Sequence, residues 1–124
     1  MKNNAIRSYR DLQVWQKGMD IAELCYVITK SFPKDETYGM ISQIRRASVS
    51  IPANIAEGYG RDSQGEYVHF LKISQGSLKE LETHIILSMR VNLITSESAN
   101  PILEECDSLG KMLRSLIRSI QASI

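Results

Sequence analysis

The chain has 124 residues, 43% of them hydrophobic and 23% charged, and its 15 basic and 14 acidic side chains leave a net charge of +1. That is the length of one globular domain, which would bury about 65–70% of its unfolded surface, and the charge balance excludes a protein coated in positive potential. No stretch approaches the roughly 20 apolar residues of a membrane span, and the N-terminus lacks a signal-like apolar run, so a cytoplasmic protein without a membrane role is expected.

Residues 1–10 carry Lys2, Arg7 and Arg10 and no acid. They read either as a frayed, flexible terminus or as a basic arm. A first helix is expected over residues 11–31. The row Val14, Gly18, Ile21, Cys25, Ile28, Phe32 alternates steps of four and three, and a second row, Leu12, Trp15, Met19, Ala22, Tyr26, widens the apolar face. Phe32-Pro33 ends it, because the residue before proline is pushed out of helical conformation.

A second helix is expected to begin near Asp35-Glu36, acids suited to a helix N-terminus. Its seam is Ile41, Ile44, Ser48, Ile51, Ile55 and Tyr59. The segment from Ala47 to Ala56 has no charged residue and is crowded with small ones, so burial on every side is expected, with neighbours beyond the chain's own fold. Pro52 removes one backbone hydrogen bond and clashes with the carbonyl of Ser48, at a cost of about 3 kcal/mol in a helix interior. Either the helix kinks there or two short helices meet; the continuous apolar period favours a kink. Gly58 and Gly60 are read as the stop. Glu57, inside this uncharged stretch, is read as a buried or interfacial acid paired with Arg45, Arg46 or Arg61, in preference to a catalytic acid.

Ser63 and Glu66 form the S-x-x-E capping box of a third helix with the seam Tyr67, Leu71, Ser74, Leu78, Leu81, Ile85, Ser88, reaching about Asn92. Gly76 costs about 1 kcal/mol at mid-helix, which predicts close approach of another backbone. A fourth helix is expected from Asn100-Pro101, with Glu104, Glu105 and Asp107 early and Lys111, Arg114 and Arg118 late, matching the helix dipole. Four helices joined by short loops, with no strand pattern, give an all-α, antiparallel up-down four-helix bundle in a single domain spanning the whole chain.

Chemistry is sparse. Cys25 and Cys106 fall in buried helical seams and read as reduced core residues rather than a disulfide. Glu66-Tyr67-Val68-His69 is one Glu-x-x-His match without the second copy that a di-metal bundle requires, so no metal site and no cofactor are expected. His69 and His84 lie about 22 Å apart along a helix and share nothing. Glu80 and Glu82 flank the core position Leu81 and read as solvated acids. Neither a phosphate-binding glycine loop nor a nucleophile setting is present, which points away from an enzyme. Arg45, Arg46, Arg61, Lys72, Lys79 and Arg90 remain as a solvated face or as a phosphate-contacting stripe.

The runs YRDLQVWQKGMDIAELCYVITKSFP, QIRRASVSIPANIAEGYGR and SQGEYVHFLKISQGSLKELETH resemble the four-helix bundle protein family, also called the 23S rRNA intervening-sequence protein family. The resemblance covers roughly residues 8–120, and its motif falls on Arg45, Arg46, Ser50, Ile51, Pro52, Asn54, Ile55, Ala56, Glu57, Gly58, Gly60 and Arg61. It implies a ring-shaped homopentamer, with Ser50, Ile51, Pro52, Asn54, Ile55, Glu57 and Gly58 at or near the contacts. It also implies a bacterial, nucleic-acid-associated accessory or scaffold. Some relatives are encoded inside inserts in large-subunit ribosomal RNA genes. A related retroelement accessory protein binds nucleic acid and a reverse transcriptase. RNA, DNA and a protein of that kind are therefore the implied partners. This chain departs from the nucleic-acid-binding relatives in being nearly neutral, although five copies of Arg45, Arg46 and Arg61 around one axis would form a basic ring. The competing expectation is an assembly module with no nucleic-acid role, in which the arginines pair with Glu57 or Asp62.

Overall fold

The computed structural model describes residues 5–123. It contains four long helices: α1, Gln13–Thr29; α2, Met40–Tyr59; α3, Gln64–Arg90; and α4, Ser96–Ala122. No strand occurs among the described residues. Consecutive helices pack on one another and α1 closes the square against α4. Side-chain pairings set the directions. Ser74 reaches Ile51 while Ser77 reaches Ser50, so α2 and α3 run antiparallel. Gln64 meets Ser123 and Gly110 faces Leu78, so α3 and α4 are antiparallel as well.

One apolar core lies between the four helices. Ile21, Ile44, Ile51, Ile55, Leu71, Leu78, Leu81, Ile85, Leu109 and Leu113 are essentially sealed from solvent. They recur at steps of three, four and seven because one stripe of a 3.6-residue helix faces inward. Cys25 and Cys106 are both free thiols within this core. Burial pushes each thiol up to about 12, as expected for groups that cannot be hydrated once ionised.

The termini of the elements depart from the sequence expectations in instructive ways. The first helix is shorter than residues 11–31, because Ser8 and Asp11 cap each other and hold Tyr9–Asp11 as a single 3-10 turn. Residues 5–10 thus lead into a capped turn, whereas Lys2 lies outside the described residues. Asp35 and Glu36 likewise belong to a 3-10 turn, Lys34–Glu36, and α2 starts only at Met40. α3 begins at the expected Ser63 cap, whose hydroxyl accepts from the Glu66 N–H at 3.1 Å. It ends with Asn92 in the left-handed region at φ 64°. The N–H groups of Asn92 and Leu93 return to the carbonyls of Met89 and Ser88, the closure that a left-handed residue permits.

α4 starts at Ser96, a full turn before Pro101. Thr95 caps it by accepting from the Ser98 N–H at 3.2 Å. Pro101 therefore sits in the second turn, exposed, where the backbone bond it removes is close to the helix end and hydrated. A capping hydroxyl outweighs the proline as a start signal here.

Candidate interaction surface

α2 runs unbroken through Pro52. It is not buried on every side. Ile44, Ala47, Ser48, Ile51, Pro52, Ile55 and Gly58 face the bundle interior, whereas Gln43, Arg46, Val49, Ala53 and Glu57 face outward. The inward half of the motif is accounted for within the chain. A Cβ added to Gly18 of α1 would stand 3.4 Å from both Ile51 and Pro52, so α1 rides closely over the proline. Ser74 of α3 donates to the Ile51 carbonyl at 2.9 Å. Ser50 and Ser77 share a hydrogen bond of 2.8 Å, and Asn54 donates to the Ser50 carbonyl and hydroxyl at 2.8 and 3.0 Å. Small residues thus let three backbones converge, with their hydroxyls satisfied by neighbouring helices.

Gly58 and Gly76 both depart from the roles expected of them. Gly58 lies inside α2, and the helix ends one residue later with Gly60 in an ordinary right-handed conformation. A Cβ on Gly58 would meet the Phe70 Cβ at 2.7 Å and the Tyr67 carbonyl at 3.2 Å. Close approach of α3, not helix termination, is what requires glycine there. Gly76 has nothing within 4 Å of its Cβ position. Instead it opens onto a groove of about 310 Å³ between α3 and α4, bordered by Lys79, Gly110 and Arg114.

The motif's charged residues separate sharply. Arg45 is held inside the chain: its Nε donates to Thr29 Oγ1 at 2.9 Å, and its guanidinium lies 4.5 Å over the Tyr26 ring. Arg61 pairs with Glu57 at 2.7 Å, reaches Glu66 at 3.9 Å and stacks 4.7 Å over Phe70. Glu57 is therefore an acid exposed on the helix surface of the single chain, in an i,i+4 pair with the expected Arg61, and is not buried within the bundle. Asp62 has no ion pair with these arginines among the described residues. Arg46 is exposed with no acidic partner among the described residues, and so are Lys72 and Arg90 on α3. Lys79 is bonded to Glu82 at 3.0 Å.

Of the histidines, His69 is exposed, while His84 is half-buried with its Nε2 3.5 Å from Glu80 and no hydrogen bond. Glu66 is committed to the helix cap and to Arg61, and no three of His, Cys, Asp and Glu gather as a metal cluster among the described residues. A concavity of about 860 Å³ lies between the start of α1 and the end of α4, where Leu12, Gln16, Met112 and Leu116 line it. No helix among the described residues is long and apolar enough to cross a membrane.

What distinguishes the surface is its apolar decoration. Met19, Leu24, Tyr26 and Val27 are exposed on α1, Val49 on α2, and Ile73, Ile86 and Leu87 on α3, but no large apolar side chain is exposed on α4. Periodicity alone missed this, since core and outer rows share the same spacing. The signal available was the width of the apolar face of the first helix.

A crystal structure of a protein of unknown function from the S23 ribosomal protein family of Bacteroides thetaiotaomicron superposes with a TM-score of 0.76 at 27% identity, covering 84% of this chain and 97% of that one. No curated protein matches the chain. Residues 10–115, which hold α1, α2, α3 and most of α4, match the family model described as the 23S rRNA-intervening sequence protein, and the chain belongs to that family.

Proposed function

We propose that this protein is a non-enzymatic bundle that functions as a self-assembling scaffold, with the outward side of α2 at or near the contacts between copies. The observation that carries the reading is the placement of exposed large apolar side chains on α1, α2 and α3 and on none of α4. Three of the four helices are thereby left with apolar area that gains from being covered, at about 25 cal/mol per Å² removed from water. The engagement of Arg45 and Arg61 within the chain supports assembly over ligand binding, because their donors already serve the fold. A closed ring of copies, five on the family resemblance, satisfies such a surface without open edges. Light scattering on the purified protein tests it. A mass several times 14.0 kDa at micromolar concentration is expected, and a particle of one chain refutes it.

A nucleic-acid-associated role is the second reading. It draws on Arg46, Lys72 and Arg90, which are exposed and without acidic partners among the described residues. Symmetry would repeat these cations in an assembly. Binding would then be tolerant of sequence and weaken with salt, with a slope near −0.7 per phosphate for single strands. Filter binding at two salt concentrations, with Arg46→Gln as the variant, checks it; absence of RNA or DNA retention at low salt removes this reading.

A further inference from the structure

Two of the exposed apolar patches carry opposite charge. On α1, Leu24 and Val27 are 40% and 65% exposed, and beside them stand Asp20 and Glu23, also exposed. The spacing of 20, 23, 24 and 27 places all four on one helical face. Neither acid is paired, the α1 ion pair among the described residues being Lys17 with Glu105. Elsewhere, Val49 of α2 and Ile73 of α3 are exposed, and between these helices Ser50 and Ser77 meet at 2.8 Å beside the exposed Ala53, so that short side chains define the α2–α3 seam as a trough. Arg46 stands one turn from Val49, exposed and unpaired among the described residues. Of the acids nearest this trough, Glu57 is held by Arg61 at 2.7 Å, whereas Glu80 stands 3.5 Å from His84 without a hydrogen bond to it.

Resting on the self-assembly reading above, we propose that the α1 strip of one copy seats in the α2–α3 trough of a second copy, with Asp20 and Glu23 set against Arg46. The short floor residues admit the Leu24–Val27 ridge, as a helix ridge enters a groove. Charge selects this pairing over its alternatives. Two α1 strips face to face would oppose acids with acids, and two troughs would bring Arg46 against its own copy; like-charge contacts of this kind disfavour wrong partners. The α3–α4 groove offers Lys79 and Arg114 but no exposed large apolar side chain in its lining. Because strip and trough are different surfaces, the contact is head-to-tail, and repetition of it generates a ring where the rotation closes.

Charge reversal measured by sedimentation velocity tests the assignment. The variant Asp20→Lys/Glu23→Lys sets lysines against Arg46, and Arg46→Glu sets a glutamate against two acids. Each alone is expected to weaken association about tenfold or more. Combining all three changes in one chain restores it. In an equimolar mixture each strip meets an oppositely charged trough on the other variant, so the two associate with one another, although a ring with an odd number of copies keeps one like-charged contact. Association in the mixture shows in addition that both variants are folded. Variants that sediment like the wild type, or a failure of both the triple variant and the mixture to associate, overturn the assignment while leaving self-assembly standing. A wild-type protein sedimenting as a single chain overturns both.

Discussion

α4 and α2 are both long amphipathic helices, yet they finish their surfaces differently. α4 buries Ile102, Cys106, Leu109, Leu113 and Ile117 and turns a charged side outward, with acids early and Lys111, Arg114 and Arg118 late. Every demand of that helix is met by one chain and water. α2 buries its isoleucines equally well but shows solvent Val49 and Ala53 between Arg46 and Glu57. Its neighbours α1 and α3 also expose large apolar side chains, and α4 does not. The difference separates folding from assembly. Inward stripes are required for any bundle, whereas an outward apolar stripe costs solubility unless something covers it.

The largest test asks whether the interior treats the two sides alike, since Cys25 lies in α1 and Cys106 in α4. Both thiols are pushed up to about 12 in the folded state. Above their ordinary value of 9.0, the unfolded chain releases these protons while the native chain keeps them. The stability they contribute is thus full below pH 9 and falls as pH rises. By pH ~10.5 the loss is about 2 kcal/mol per thiol. Tyr67, also raised to about 12 by burial, acts in the same direction. Urea unfolding at pH 7.5 and 10.5 measures this, and Cys25→Ala and Cys106→Ala should each flatten the pH dependence by a similar amount. Unequal flattening would show that one side of the core is open to water.

Gly58→Ala sharpens the comparison at the α2–α3 contact. The new methyl would stand 2.7 Å from the Phe70 Cβ, and overpacking of this kind costs about 1–3 kcal/mol. A melt unchanged from wild type would mean that α3 sits farther from α2 than described. Gly76→Ala has the opposite sign. Its Cβ meets open space, so the substitution recovers helix propensity, stabilising by up to about 1 kcal/mol in thermal melts. Destabilisation there would reveal a contact across the α3–α4 groove. The smallest effect belongs to the finished surface of α4. Lys111 and Asp107 pair at 3.3 Å with both side chains 69% exposed, so Lys111→Gln should change stability by under about 0.5 kcal/mol. A larger loss would mark α4 as a contact surface after all.

The core stripe was legible because burial on a helix repeats every 3.6 residues, and Ile44, Ser48, Ile51 and Ile55 show that repeat without help. The Ser63 cap was legible for a similar reason: cap and partner are three residues apart. The cap at Thr95 lacks that signature, having Ser98 where Ser63 has Glu66, so Pro101 was the stronger local signal even though the hydroxyl prevailed. The pairing of Glu57 with Arg61 was half legible, since i,i+4 spacing announces an ion pair but not whether it is buried.

The sequence by itself determined the four helices, their inward stripes, the buried thiols and the family motif, all properties carried by residues close together along the chain. Only the tertiary structure decided that Gly58 is wedged against Phe70 while Gly76 faces open space, and that Arg45 rests on Tyr26 while Arg46 stands free. It also decided that α1, α2 and α3 expose large apolar side chains while α4 exposes none. Helical period places a residue around its own axis. What lies across from it depends on the register and spacing of a neighbouring helix, and those are fixed by packing among residues far apart in sequence.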